Sequence, residues 1–472
     1  MSRIREPQRS FADLEFVQQG IELEPTLKRI AAFLDTHATL VDGVHRDLVR
    51  GLKHPTTGRT GLTASQVLRS LILMRVKNWD YRELRERIAD GYTLRHFTDF
   101  DSQSVPKHDA FNRAFNRVTA ATLQAVNAAV IQAAITLGLE DGTKLRVDTT
   151  VVETDIHHPT DSTLLWDAVR VLTRLVRQLH DQVPAGVGAF TNRTRSARRR
   201  MRELQRMTAM ERHTQQVPTY RALIHITDQV VAQARAVVAR VRLPKGPLST
   251  RVTIEALCQE IGDYCDLAAR VIRQTRRRVL QGEQVPADEK IYSIFEPHTD
   301  LIKRGKEQKP IEFGHKVFLA ESGHGLITQY RVLTGNPADR DQVAPSLERH
   351  TDLFGHAPDL YSADRGFFSA ATLEVCHTAG VTCPCIPQAG GKRSAEREAM
   401  EKSRPFKQGQ RFRAGIEGRI SVLFRGRGMK RALVEGREHF DLLVGAAVLA
   451  NNLLVIAALW RRQHARRRRP AA

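Results

Sequence analysis

A chain of 472 residues is too long for one hydrophobic core, so two or more domains are expected. Its composition, 41% hydrophobic and 26% charged with no long low-complexity tract, is that of an ordinary soluble globular protein. Seventy-three Lys and Arg against 52 Asp and Glu leave a net charge of +21, which points to a polyanion such as nucleic acid bound in a salt-dependent way, with a basic proteome bias as the bland alternative.

The opening MSRIREPQRSF has no apolar core of a signal peptide. Residues 1–140 read as helical: Thr63-Ala-Ser-Gln66 and Asp80-Tyr-Arg-Glu83 have capping-box spacing, and Leu84 and Ile88 lie four apart on one stripe among arginines. SVPKHDAFNRAFNRVTAATLQAVNAAVIQAAITLG is a further amphipathic stretch ending in Gly138. Short helices with basic faces fit a helix-turn-helix-like DNA reader, and equally a helical dimerisation or packing domain. At 144–153, KLRVDTTVVE alternates like a half-buried strand, with Leu145, Val147, Thr149 and Val151 on one face and Arg146, Asp148 and Thr150 on the other. Asp is depleted from strands, and burying its charge is costly, so Asp148 requires a reason.

From Thr160 to about Pro286 helical periodicity returns, with arginine-dense TRSARRRMRELQR at 194–206 and RQTRRR at 273–278, each either a solvated face or a phosphate contact. Strand character resumes at about 287 in KIYSIFEPHTD. HKVFLA and LITQYRVL are expected to form a hairpin about Glu321–Gly325. DRDQVAPSLERHTDLFG is helical, DLYSADRGFF a strand, SAATLEVCHTAG a helix and VTCPCIP a strand, which predicts a mixed sheet with helices packed on it. A Lys/Arg/Gly-rich loop is expected at 390–411, followed by long helix to Trp460. DLLVGAAVLANNLLVIAALW at 441–460 has the length of a membrane span, but Asn451 and Asn452 at its centre favour a buried core helix. The Arg466–Arg469 run is expected to be disordered and to hold nucleic acid non-specifically. Five cysteines make no disulfide framework and show no zinc spacing, so core packing accounts for them.

Three carboxylates in the strand-bearing part suggest chemistry. Asp148 is in mid-strand, Asp364 stands where LYSAD ends and the Arg365-Gly366 turn begins, and Glu417 lies in a helical segment between Gly415 and Gly418. Brought together, such charges repel unless a cation joins them, and hard oxygen ligands favour Mg²⁺ or Mn²⁺. Two such ions can activate an attacking oxygen and stabilise a leaving one in phosphodiester chemistry. The plain alternatives are an Asp148–Arg146 pair, a Glu417–Arg413 pair one helical turn apart, and a simple Asp364 turn. Glu153, Asp155, His157, His158 and Asp161 form a weaker His/Asp candidate without defined ligand spacing, and His315, His324 and His356 read as structural.

RVDTTVVETDIHHPTDSTLLWDAVRVLTRL, EFGHKVFL, VLTGNPADRDQ, YSADRGF and RAGIEGRISVLFRGRGMKRA, in that order, together with WDYRELRERIADGYTLRHF and PKHDAFNRAFNRV, resemble the DDE transposases of bacterial insertion sequences, of an ISNCY-like group. The resemblance implies an α/β chain: a ribonuclease-H-like mixed sheet with flanking helices at 141–159 and 287–460, a helical N-terminal DNA-binding domain at 1–140, a helical insertion at 160–286 and a basic tail at 461–472. Its catalytic and metal-binding triad falls on Asp148, Asp364 and Glu417, with two Mg²⁺ or Mn²⁺ ions, and the Arg four before the Glu on Arg413. A Tyr and a Lys frequent in related enzymes are replaced here by Gln410 and Phe424, so DNA phosphates are assigned to Arg413, Arg425, Arg427 and Lys430. The implied activity is binding of the element's terminal inverted repeats in double-stranded DNA, metal-dependent strand cleavage, and transfer into target DNA. A homodimer on DNA, in the cytoplasm at the bacterial nucleoid and without a membrane, is expected. The alternatives are a ribonuclease-H-like nuclease lacking strand transfer, or an inactive DNA-binding relic.

Overall fold

The computed structural model describes residues 2–3, 22–54, 57, 59–183, 188–243, 247–303 and 311–467, so most of the N-terminal MSRIREPQRSF and the end of the arginine tail lie outside the described residues. The chain divides into two compact units, Met1–Glu153 with His315–Ala472, and Thr154–Gly314.

Among the described residues, the part of the first unit before its main sheet holds seven helices, α1 (Pro25–Thr36), α2 (Leu40–Val49), α3 (Ala64–Lys77), α4 (Tyr81–Asp90), α5 (Tyr92–Phe97), α6 (His108–Phe115) and α7 (Ala120–Thr136), and a short parallel pairing of Ser2–Arg3 with Arg59–Thr60. Cap chemistry sets where the helices start. Thr63 and Gln66 form the reciprocal box, each backbone N–H donating to the other's side-chain oxygen at 3.1 Å. At α4 the box is one-sided: Asp80 accepts from Arg82 N and Glu83 N at 2.8 Å, while the Glu83 carboxylate turns to Arg87. Leu84 and Ile88 are fully buried, as their stripe predicts. Strand β1 (Lys144–Thr154) follows.

The second unit is a helical bundle of α8 (Asp161–Gln182), α9 (Thr194–Arg206), α10 (Ala209–Arg240) and α11 (Leu248–Thr275), the last running into a π-turn at Arg276–Leu280. Leu165, Leu172, Val176, Leu223, Val230, Ile261 and Val271 fill its core. KIYSIFEPHTD, expected as a strand, is mostly turn, because Ser293 Oγ accepts from the N–H groups of Phe295 and Glu296 and closes the backbone locally. Only β2 (Asp300–Lys303) is extended, and it pairs antiparallel with Ile311–Gly314.

The first unit resumes in β3 (Ile311–Ser322) and β4 (Ile327–Val332), the predicted antiparallel hairpin, with an irregularity between Ala320 and Glu321. Then come α12 (Val343–Phe354), β5 (Leu360–Ser362), α13 (Ala370–Thr378), β6 (Cys383–Cys385), α14 (Ala395–Lys402), α15 (Arg404–Gly426), β7 (Arg431–Ala432) and α16 (Arg437–Arg467). The segment 390–411, read as a loop, is largely helical. Ser394 and Ser403 cap α14 and α15 through the N–H groups of Arg397 and Phe406, and Pro405 sits at a helix start where its missing N–H costs nothing. The last helix continues through Arg467, past the expected end at Trp460.

Within this unit the strands lie in the order β4-β3-β1-β5-β6, with β7 also on β1. β5 is parallel to β1, and β6 is parallel to β5. The sheet is mixed and flanked by helices, the α/β architecture expected. β1, however, is covered on both faces rather than one. Leu145 and Val147 pack with Val343 and Leu347 of α12, Cys376 of α13 and Phe367, while Val152 packs with Leu423 of α15 and with α16.

By length and composition α16 could cross a membrane, yet 78% of its apolar window is buried. Leu442, Ala446, Leu449, Leu453 and Ile456 join the core of α1–α7. Asn452 is satisfied inside that core: its Nδ2 donates to Asn127 Oδ1 at 2.8 Å and to Ile327 O at 2.9 Å, and its Oδ1 accepts from Ile327 N at 2.8 Å.

Candidate active site

Strand alternation aims Arg146 and Asp148 of β1 at α15, and the structure brings the predicted carboxylates to one cation on that helix. Arg413 Nη2 lies 3.0 Å from Asp148 Oδ2 and 3.8 Å from Asp364 Oδ2, and its Nη1 lies 3.0 Å from Glu417 Oε1. Glu417 is one helical turn beyond Arg413, so both share a face of α15. Asp364 lies two residues beyond the end of β5 and caps the short turn after it, accepting from Gly366 N at 2.7 Å. The carboxylates grade outward, with side chains 11% exposed at Asp148, 37% at Asp364 and 66% at Glu417. The site is closed on the sheet side and open at the helix.

A fourth carboxylate joins them. Asp339 Oδ1 accepts from Thr149 Oγ1 at 2.9 Å and pairs with Lys316 Nζ at 2.7 Å. A methyl group at Gly366 would stand 3.0 Å from Asp364 Oδ1 and 3.2 Å from Asp339 Oδ2, so the glycine of SADRG lets the two acids stand close. Asp339 and Lys316 fall inside NPADRDQ and EFGHKVFL, motifs legible in the sequence, but no spacing singled out these charges.

Beneath the carboxylates lies a buried ion cluster. Glu321 is completely buried and accepts from Arg146 Nε at 2.8 Å and Arg419 Nε at 2.8 Å. Arg146 also donates to Phe412 O at 2.7 Å and Arg419 to Asn451 Oδ1 at 3.2 Å, tying α15 to β1, β3 and α16. The Arg146 guanidinium occupies the space that a side chain at Gly415 would take, 2.1 Å from the methyl position. Arg146 therefore pairs with Glu321, and Asp148 with Arg413. Gln410 donates to Cys385 O at 2.7 Å and Ala363 O at 3.3 Å, anchoring α15 beside Asp364. Phe424 is partly buried against the apolar core.

Of the basic residues assigned to phosphates, Arg425 and Lys430 are exposed, with Arg425 hydrogen-bonded to Ser421. Arg427 is directed inward, donating to Val76 O at 2.6 Å at the end of α3, and burial pushes its guanidinium below the usual value with Arg419 adding to the effect. The weaker His/Asp candidate is dispersed into ion pairs: His157 with Asp167 at 2.7 Å, and Asp161 with Arg278 at 2.7 Å. His315 contacts Arg437 and Phe440, and His356 contacts Asp141 O. Among the described residues, the group whose ligand atoms all lie within 4.8 Å of one another is Glu140, Asp141 and His324. Glu140 is saturated there by the N–H groups of Asp141 and Gly142 and by Ser322 Oγ, the pattern of a braced turn.

The acids gathered around Arg413 are hard oxygen donors, the kind that a divalent ion takes. They offer carboxylate oxygens from a strand, the turn after a strand and a helix, and in the cluster of Asp148, Asp339, Asp364, Glu417, Arg413 and Lys316 the acids outnumber the bases.

No curated protein and no solved structure matches this chain. Residues 18–117 match a family model described as Transposase domain (DUF772), spanning α1–α6. That match supports a transposase family for this chain, and with it a DNA-processing enzyme.

Proposed function

We propose that the protein is a DDE-type transposase that binds the terminal inverted repeats of its own element, cuts a DNA strand there in a metal-dependent reaction, and joins the freed 3′-hydroxyl to target DNA. The observation that carries the reading is the convergence of Asp148, Asp364 and Glu417, from three distant segments, on the single guanidinium of Arg413. The ribonuclease-H-like reading is supported by the mixed sheet, whose first strand is central, with a hairpin on one side and two parallel strands on the other.

In this reading Asp148, Asp364 and Glu417 hold two Mg²⁺ or Mn²⁺ ions, which when bound would activate the attacking oxygen and stabilise the leaving oxygen of the phosphodiester. The chain's own residues set the stage. β1 holds Asp148 rigidly, the Gly366 N–H fixes Asp364, and the Arg146–Glu321–Arg419 cluster fixes the pitch of α15 and hence Glu417. Arg413 supplies positive charge among the acids and is positioned to meet a phosphate oxygen. Arg425, exposed in the last turn of α15, and Lys430, exposed beyond it, hold the DNA backbone, while Arg427 positions the turn between them. Double-stranded DNA is the partner, and action on two ends calls for a homodimer on DNA at the nucleoid.

The test is cleavage and joining of duplexes carrying the inverted repeats that flank the gene, with Mg²⁺, by wild type and Asp364→Asn. Wild type should nick and join while the variant does neither. Equal cutting by both would remove the site assignment, and nicking without joining would leave a nuclease.

A further inference from the structure

We infer that the cleft lined by α9 in the second unit is a binding groove for the phosphate backbone of duplex DNA. The identity of the polyanion rests on the DNA-processing reading above, whereas the groove itself rests on independent observations. The cleft measures about 1080 Å³ and runs along α9 between Trp166 of α8 and Thr219 of α10.

The sequence of α9 builds two opposed faces. Ala197, Met201 and Leu204, spaced four and three apart, are buried in the bundle core. Arg195, Arg198, Arg202 and Arg206, spaced three, four and four, are exposed on the opposite face and line the cleft. Among the described residues these four have no acidic partner, whereas Arg200 of the same helix lies 2.8 Å from Glu203. The arginines at the end of the bundle are also matched: Arg276 to Asp228, Arg277 to Glu283 and Glu289, and Arg278 to Asp161. Like charges one turn apart destabilise a helix, so folding alone gives no reason to place four of them in a row.

The dimensions match a duplex. The twelve residues of α-helix from Arg195 to Arg206, eleven rises of about 1.5 Å, span roughly 16 Å. Over that distance one strand of B-DNA presents about five phosphates at 3.4 Å of axial rise each. Trp166, with Arg170 stacked 5.0 Å over its ring, closes the wall of the cleft.

The test measures binding of a fluorescent duplex of about 30 base pairs to the full-length protein by anisotropy, in EDTA, over a range of KCl concentrations. Three proteins are compared: wild type, R195A/R198A/R202A/R206A, and R221A/R251A/R270A/R273A, which removes the same charge from exposed positions outside the cleft. Each lost phosphate contact lowers the slope of log K against log salt by about 0.9, so the cleft variant should lose about 3–4 from its slope and bind at least tenfold more weakly at 0.15 M salt. The control variant should change its slope by less than about 1 on the same scale. Equal losses in both variants would reduce the groove to diffuse net charge, and an unchanged cleft variant would remove it altogether. Binding in EDTA requires no cleavage, so absence of Mg²⁺-dependent activity in wild type would count against the transposase site while leaving the groove standing.

Discussion

Arg413 and Asp148 are 265 residues apart in sequence and 3.0 Å apart in space. The guanidinium that meets Asp148 also reaches Asp364 and Glu417, so one cation relieves the repulsion of three acids. Arg413→Ala should therefore cost about 1–3 kcal/mol, as for loss of a charge-assisted hydrogen bond to a largely buried carboxylate. Millimolar Mg²⁺ should raise the melting temperature of this variant more than that of wild type, because a bound ion then takes up the charge. Thermal unfolding with and without MgCl₂ reads this directly. Asp148→Asn combined with Asp364→Asn should abolish the Mg²⁺ effect, and a Mg²⁺ shift that survives both substitutions would place the ion elsewhere.

Two glycines that flank Glu417 make opposite demands. At Gly415 a methyl group would stand 2.1 Å from Arg146 Nη1, and the guanidinium cannot yield cheaply because the fully buried Glu321 and the Phe412 carbonyl hold it. Gly415→Ala should destabilise by about 1–3 kcal/mol, the usual cost of overpacking. At Gly418 a methyl group meets nothing within 4 Å, and the helix gains from losing a flexible residue. Gly418→Ala should stabilise by about 0.5–1 kcal/mol. Denaturant unfolding of the pair decides it, and the same sign for both would refute the packing argument.

These glycines mark how far the sequence could be read. Period-2 alternation located β1 and set Arg146 and Asp148 on one face, and cap residues located α3 and α4, because such signals are local. The partners of Asp148 were not local. Asp364 and Glu417 came from motif resemblance, and nothing in their spacing tied them to β1. Asp339 in its turn and Lys316 and Glu321 on β3 were missed because a charge looks the same in sequence whether it faces water or a neighbouring element. The burial of β1 on both faces was hidden too: Arg146 and Asp148 look polar, yet partners on β3 and α15 let them be covered.

Glu321 gives a sharper test of that burial. It is fully buried between Arg146 and Arg419, whose side chains are 14% and 21% exposed. Glu321→Gln leaves two largely buried guanidinium groups without their anion, which should cost about 3–5 kcal/mol. Because α15 carries Glu417, DNA cleavage should fall as well. Urea unfolding of the full chain measures the first effect, and a loss below about 1 kcal/mol would mean that the cluster is solvated.

His350 of α12 gives the fold an acid limit. Its ring is completely buried, lies tilted 4.5 Å from the Phe354 ring, and donates from Nε2 to Gly142 O at 2.9 Å. Burial pushes the imidazole down to about 4, against the usual 6.5, with the nearby His356 adding to the effect. Between these values the unfolded chain takes up a proton that the folded chain refuses, so stability is full above pH 6.5 and is lost as pH falls toward 4. At about 1.4 kcal/mol per pH unit the loss amounts to at most about 3.5 kcal/mol. His350→Gln keeps an N–H donor for the Gly142 carbonyl and has no proton to gain. Its stability should therefore fall less than that of wild type between pH 7 and pH 4, as followed by denaturant midpoints. Parallel pH profiles for the two proteins would show that His350 is not the group that titrates.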